Sequence, residues 1–147
     1  MKKILSAILT LALIVISLSA CDLFSTRYSE GNATLVIATE EEQVYDIPLS
    51  ELGEGNGLMP VFEYLKTEKG LEYELDGSMI KSIGGLENNY EMGMYIYIFT
   101  SLEKDFDVSE YKMEIEYGEK TLVSSGVGFS DMSLSDGTVI YIGLVKF

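Results

Sequence analysis

Several runs of the chain alternate apolar and polar residues with a period of two, and others are continuously apolar and rich in β-branched residues; both patterns are typical of β-strands. Such runs predict strands at residues 33–39, 43–49, 71–75, 79–83, 93–100, 111–117 and 138–145. The first two runs flank three consecutive glutamates and predict a hairpin. Pro48 marks the second of these strands as one that ends there or lies at a sheet edge.

One stretch follows the period of an α-helix instead. Four apolar residues have the i, i+3, i+4, i+7 spacing of a single helix face: Leu58, Val61, Phe62 and Leu65. Pro60 suits a first helical turn, and Gly70 suits the position just after the last one. The pattern therefore predicts a helix over residues 60–69 whose apolar face packs in the core. The glycine-rich residues 53–57 before it lack the Lys-Ser/Thr of a phosphate-binding loop and predict a turn.

The strand predicted at residues 93–100 is the most aromatic part of the chain. Its two faces are formed by Met94, Ile96 and Ile98 and by Tyr95, Tyr97 and Phe99. Because both faces are apolar, we expect the helix to cover one of them and a loop, a ligand or a partner to cover the other. An aromatic strand face is also typical of a protein core, so core packing of these rings remains an alternative.

The N-terminus has the pattern of a bacterial lipoprotein signal. Lys2 and Lys3 precede an apolar run at residues 4–18, which is shorter than the roughly 20 residues of a membrane span. The sequence Leu-Ser-Ala-Cys that ends at Cys21 resembles the lipobox, in which the thiol is diacylated and the chain is cut before it. Two acyl chains anchor a protein stably in a bilayer. We therefore predict an anchor at Cys21 on the extracytoplasmic face of the cell membrane.

These patterns divide the chain into three parts. Residues 1–20 are predicted to be the signal peptide, residues 21–32 the lipidated cysteine and a polar tether, and residues 33–147 a single folded domain. A chain of that length is sufficient for one domain with its own core.

The composition excludes several classes of function. Without Lys2 and Lys3, eight basic residues face 24 acidic ones, a formal charge of −16 that repels nucleic acid. The chain has no His, and Cys21 is its one cysteine, which excludes His-dependent catalysis and zinc sites built from His or Cys. Asp105 and Asp107 lack the Gly and distal Glu of an EF-hand loop and indicate a turn. We predict a protein that is not an enzyme and has no metal site.

Two segments carry a family resemblance. The first is Ser82-Ile83-Gly84-Gly85-Leu86 with Asn88-Asn89 and the aromatic strand, and the second is Leu-Val-Ser-Ser-Gly-Val-Gly at residues 122–128 with the Asp136-Gly137 turn and the last strand. Together they resemble the C-terminal β-domain of transcobalamin and intrinsic factor, a layout shared by a family of bacterial lipoprotein and cell-surface domains. The order of hairpin, helix and further strands fits this resemblance. It implies an α+β class, with a β-grasp-like mixed sheet packed on one helix.

The resemblance implies cobalamin or another corrinoid as the ligand, and no other cofactor. The ligand-binding positions that it implies are Tyr95, Tyr97, Ser124, Ser125, Gly126, Val127 and Gly128. Aromatic rings would cover the macrocycle and backbone amides of the loop would bond its peripheral amides. Ile96 stands where the strand in this family usually carries Trp. Because the vertebrate proteins hold the ligand between this domain and an α-helical barrel, we expect a membrane transporter or surface protein to complete the site.

A second hypothesis belongs to a different class of function. The domain would be a non-enzymatic interaction or structural module at the cell surface, which adds an exposed strand edge or aromatic face to a protein partner. Under this hypothesis the aromatic strand needs no small ligand. Binding of a corrinoid by the isolated protein distinguishes the two.

Overall fold

The computed structural model describes residues 30–147, which form two β-sheets and, within that range, a single α-helix. The strands are β1 (Asn32–Ile37), β2 (Gln43–Pro48), β3 (Tyr73–Asp76), β4 (Met79–Ile83), β5 (Leu86–Glu87), β6 (Met94–Thr100), β7 (Glu114–Tyr117), β8 (Lys120–Ser124) and β9 (Val139–Lys146). The helix, α1, is Met59–Lys69. The predicted α+β class is therefore confirmed.

The larger sheet has six strands in the order β2-β1-β9-β6-β8-β7, and we call it the large sheet. The hairpin of β1 and β2 is antiparallel, as predicted, and β2 lies at the edge, where its Pro48 removes no ladder hydrogen bond. The first and last strands, β1 and β9, run parallel to each other in the interior of the sheet. Both are rich in β-branched residues, as expected of strands that are covered on both faces.

Helix α1 covers one face of the large sheet. It has Pro60 in its first turn and ends at Gly70, whose φ of +69° is the left-handed conformation that glycine adopts without strain. Leu58 and the three further residues of the predicted apolar face are all buried, so that prediction is confirmed. The core on this side includes Phe62 and Leu65 of the helix, Leu35 and Ile37 of β1, and Ile140 and Ile142 of β9.

The large sheet curls, so that its edge strand β7 folds back over the face opposite the helix. Val36, Phe99, Leu122 and Val139 form a second buried cluster there. Tyr117 of the edge strand β7 contacts the Tyr141 ring at 5.8 Å between centroids, and its hydroxyl lies 3.4 Å from Glu42, beside the other edge strand. These contacts require the sheet to curl across its own face. Core packing therefore accounts for Phe99, which is 3% exposed.

Strands β3, β4 and β5 form a separate antiparallel sheet, which we call the small sheet. The predicted turn at Asp76-Gly77 joins β3 to β4, and Gly77 has a left-handed φ of +60°. Asn88, just after β5, connects this small sheet to β6 of the large sheet. The connection brings the two sheets side by side and leaves a groove between them.

Several strand boundaries differ from the sequence prediction: β1 ends and β3 begins two residues inside the predicted runs. The strand predicted at residues 111–117 begins only at Glu114, because Ser109 accepts hydrogen bonds from the N–H groups of Tyr111 and Lys112 and holds a turn. The glycine-rich segment at residues 122–128 is a loop only after Ser124, since its first three residues belong to β8.

The predicted signal peptide, Cys21 and most of the tether lie outside the described residues. Within residues 30–147, no helix is long and apolar enough to cross a membrane.

Candidate functional site

A groove of about 780 Å³ runs along an uncovered edge of β6. Strand β8 pairs with β6 only at Phe99 and Thr100, so β8 leaves the preceding part of that edge free. One wall of the groove is formed by Met79 and Ile80 of the small sheet together with Asn88, which follows β5. The other wall is the loop with Ser125, Val127, Gly128 and Phe129. The groove therefore exists because β8 is too short to cover β6.

Five of the seven predicted ligand-binding residues line this groove. They are Tyr95, Tyr97, Ser125, Val127 and Gly128. The structure thus brings the aromatic strand and the glycine loop together across the groove, although 28 positions separate Tyr97 from Ser125 in the sequence.

Ser124 and Gly126, the other two predicted residues, lie away from the groove. Ser124 is 1% exposed, and its hydroxyl accepts a hydrogen bond from the Met113 N–H at 3.0 Å. Gly126 faces the adjacent backbone segment, where an added Cβ would lie 2.9 Å from the Phe106 carbonyl oxygen. The positions of the two residues explain this result, because Ser124 is the last residue of β8 and Gly126 lies where the loop bonds to the Asp105 carbonyl oxygen.

Four aromatic rings form a continuous series at one end of the groove. Tyr90 contacts Tyr95 at 5.7 Å between ring centroids, and Phe147 contacts Tyr95 at 6.0 Å and Tyr97 at 5.3 Å. The register of β6 with β9 explains the series, since it places Tyr95 opposite Val145, near the end of the chain. The Tyr90 and Phe147 side chains are 59% and 68% exposed, so their surfaces are available to a ligand.

Asn88 holds the small sheet against β6. Its Nδ2 donates hydrogen bonds to the carbonyl oxygens of Ile80 at 2.8 Å and Lys81 at 3.3 Å, both in β4. Its Oδ1 accepts one from the Ile96 N–H at 2.6 Å. One side chain therefore joins two sheets and sets the width of the groove at this point.

The loop on the opposite wall is held in place by Asp105. The Asp105 carbonyl oxygen accepts a hydrogen bond from the Gly126 N–H at 2.9 Å. The carboxylate of Asp105, a residue that is 4% exposed, accepts hydrogen bonds from the Ser133 N–H at 2.6 Å and from its hydroxyl at 3.2 Å. These are the bonds that a buried carboxylate requires. Asp105 therefore has a structural role in the turn that was predicted for this segment.

The groove provides apolar surface, ring faces and backbone polar groups. None of its lining side chains carries a formal charge, although residues 30–147 contain 23 acidic and seven basic residues. In the same part of the chain, no group of three or more His, Cys, Asp or Glu residues is placed to hold a metal ion. Such a surface is suited to binding an uncharged, partly apolar molecule.

The prediction from sequence missed several residues of the groove. Tyr90 lies within the first motif but is not one of the positions that the resemblance implies, and Phe147 lies beyond the last predicted strand, so neither was identified. The pairing of β6 with β9 brings Phe147 to the site. The Asn pair was noted in the sequence, but its role was not, since a side chain that joins two sheets has no local signature. Met79 and Ile80 reach the groove through the position of the small sheet.

No protein-family model matches the chain, and no curated protein matches it in sequence. The resemblance to the transcobalamin C-terminal domain therefore depends on the two short motifs. The groove itself is independent of that resemblance, because it follows from the strand pairing.

Proposed function

We propose that this chain is a non-enzymatic, lipid-anchored binding protein on the extracytoplasmic face of the cell membrane. In this proposal the domain is β-grasp-like, of the transcobalamin C-terminal type, and it binds a ligand in the groove along β6. Corrinoids, including cobalamin, are the first candidates. The observation that supports the proposal is that five of the seven residues implied by the resemblance line one open groove.

The volume of the groove lies in the range of small-molecule sites. Pockets that bind small molecules typically measure about 300–1,000 Å³, and this one measures about 780 Å³. A corrinoid with its side chains is larger than a drug-sized ligand, so the groove would cover only one side of it. Because a ligand that is covered on one side loses little contact with water, tight binding would require a transporter or surface protein on the other side.

Calorimetry with the full chain in lipid nanodiscs tests the proposal. Cobinamide or cobalamin should bind, and Tyr95→Ala should weaken binding because it removes the ring between Tyr90 and Phe147. Tyr111→Ala is the matched control, since this tyrosine is 79% exposed and does not line the groove. Absence of heat with folded protein at about 100 μM of either corrinoid, a concentration that detects interactions of roughly 5.5 kcal/mol, would exclude direct binding.

The anchor is tested separately. The variant Cys21→Ser should abolish incorporation of radiolabelled palmitate and prevent cleavage before residue 21. Label incorporated into this variant as strongly as into the wild type would contradict the proposed lipidation.

A second candidate function, an interaction module for a protein partner, is favoured by the rim of the groove. Four exposed apolar side chains lie there, namely Met79 (57%), Tyr90 (59%), Val127 (37%) and Phe147 (68%). Clustered exposed apolar residues commonly mark interaction sites. Crosslinking in intact cells from the position of Val127 tests this candidate. A partner captured without added corrinoid supports it, and capture that depends on corrinoid supports the first proposal.

A further inference from the structure

The backbone of β6 directs alternate residues to opposite sides of the strand. Its odd-numbered residues form the hydrogen-bonded pairs with β9, because the bonds at both ends of the ladder involve odd-numbered residues: the Phe147 N–H donates to the Gly93 carbonyl oxygen at 2.9 Å and the Ser101 N–H to the Val139 carbonyl oxygen at 3.0 Å. In an antiparallel ladder, the residues between these pairs direct their N–H and C=O groups to the other edge. The even-numbered residues of β6 therefore face the groove.

Most of these groove-facing groups have partners. The N–H and C=O of Met94 both bond with Asn89 at 2.9 Å. The Ile96 N–H donates to the Asn88 side chain, and the Ile98 C=O accepts from the Ser125 N–H at 2.8 Å. Two groups remain without a hydrogen bond from any of the described residues, the Ile96 C=O and the Ile98 N–H. The edge thus presents one acceptor and one donor.

The ladder stops at this point because the loop leaves the sheet. Ser125 bonds to Ile98 in one direction only, and it then forms a bridge with Phe106 on its other side. Its hydroxyl turns toward the loop and donates to the Val127 carbonyl oxygen at 2.8 Å. The reverse bond, from the Ile98 N–H to the Ser125 carbonyl, does not form.

The gap on this edge is too short for an added β-strand. Asn88 and Asn89 occupy the edge on one side, and Ser125 occupies it on the other. A strand needs several consecutive pairs to be held, whereas here one donor and one acceptor lack a partner within residues 30–147. What fits this arrangement is a single amide group, which carries a C=O and an N–H of its own.

We propose that the groove recognises a ligand through an uncharged amide edge, such as a carboxamide or a lactam. The Ile98 N–H donates to the ligand carbonyl, the Ile96 C=O accepts from the ligand N–H, and the apolar part of the ligand lies on the rings of Tyr95 and Tyr97. This inference depends on the proposed function, in that a small ligand occupies the groove. A carboxylate is excluded by its charge and by its lack of a donor, because no basic side chain lines the groove.

An amide ligand should bind this groove more tightly than the corresponding ester. An ester has the carbonyl of an amide but no N–H, so it leaves the Ile96 C=O without a partner in an apolar site. Loss of one such hydrogen bond weakens binding by about ten-fold. The matched probes are benzamide against methyl benzoate, and cobinamide against the heptamethyl ester of cobyrinic acid.

Nuclear magnetic resonance of the ¹⁵N-labelled full chain in lipid nanodiscs tests the inference at the atoms concerned. In the free protein, the Ile98 N–H should exchange with solvent about ten-fold faster than the Ile96 N–H, which is bonded to Asn88 and serves as an internal control. Benzamide should shift and protect the Ile98 N–H, and methyl benzoate should bind about ten-fold more weakly. An Ile98 N–H that is already protected in the free protein would overturn the inference.

The corrinoid pair separates this inference from the proposed function. If benzamide shifts the Ile98 N–H more than methyl benzoate does but cobinamide does not bind, the amide inference stands and the corrinoid proposal fails. If cobinamide and the ester bind equally and leave the Ile98 N–H unchanged, the corrinoid proposal stands and the amide inference fails. If none of the probes binds, both fail.

Discussion

Replacement of Asn88 by Ala should loosen the junction between the two sheets. The change removes three hydrogen bonds, two to carbonyl oxygens of β4 and one from the Ile96 N–H. A net value of about 1 kcal/mol applies to each well-formed bond, and the 3.3 Å bond to Lys81 shares its donor with the 2.8 Å bond, so it adds little. Because the groove is open, water partly replaces the lost partner of Ile96. We therefore expect a loss of about 2 kcal/mol in the free energy of unfolding.

Thermal unfolding followed by circular dichroism measures this loss, which corresponds to a fall of roughly 8 °C in Tm for a domain of this size. Asn89→Ala is the matched control, since the Asn89 side chain has one exposed bond, from the Met92 N–H at 3.1 Å, and its backbone pairing survives the change. Asn88→Asp should destabilise at least as much as Asn88→Ala, because a carboxylate would face two carbonyl oxygens. Equal Tm values for the two Ala variants would refute the role of Asn88 as the link between the sheets.

Three further predictions concern two loops and the contact between β3 and the helix. Asp105→Ala should cost about 1–3 kcal/mol in urea unfolding because it leaves two half-buried donors of Ser133 without their acceptor, and Asp105→Asn, which keeps an acceptor, should cost less. Gly57→Ala should lower Tm because a Cβ there would clash with the Phe129 carbonyl oxygen at a φ of +60°, whereas Gly53→Ala, with open space around it, should leave Tm unchanged. Burial and the hydrogen bond to Glu63 raise the pKa of Tyr73 from 10.0 to about 12. Since the folded state then binds more protons than the unfolded state, stability should fall as pH rises from 10 to 12. Tyr73→Phe should flatten this fall in urea titrations at each pH, and an unchanged slope would contradict the assignment.

The elements with strong local signals were predictable from sequence. The apolar spacing of α1, Pro60 in its first turn and Gly70 at its end describe a helix that differs from the predicted one by a single residue at its start. The alternation in the first hairpin and Pro48 at its edge also agree with the structure. Such signals depend on neighbouring residues, which the chain brings together at any stage of folding.

The curl of the large sheet was not predictable in the same way. We expected the helix over one face of β6 and a loop, a ligand or a partner over the other, whereas the face that carries Phe99 is covered by Tyr117 and its strand, which fold back over it. Nothing near Tyr117 in the sequence indicates this contact, because its partners, Glu42 and Tyr141, lie far away along the chain. The alternating pattern of β7 would be the same in a flat sheet.

The sequence by itself determined the helix, most of the strands, the acidic charge, the absence of His chemistry and the aromatic character of β6. Tertiary structure alone decided that β8 covers only the end of β6, that Asn88 joins β4 to β6, and that Phe147 completes the aromatic series. The physical reason is the range of the interactions. Periodicity and turn residues act over a few positions, while the groove depends on where distant strands end against each other, and a shift of one residue in pairing exchanges the two faces of a strand.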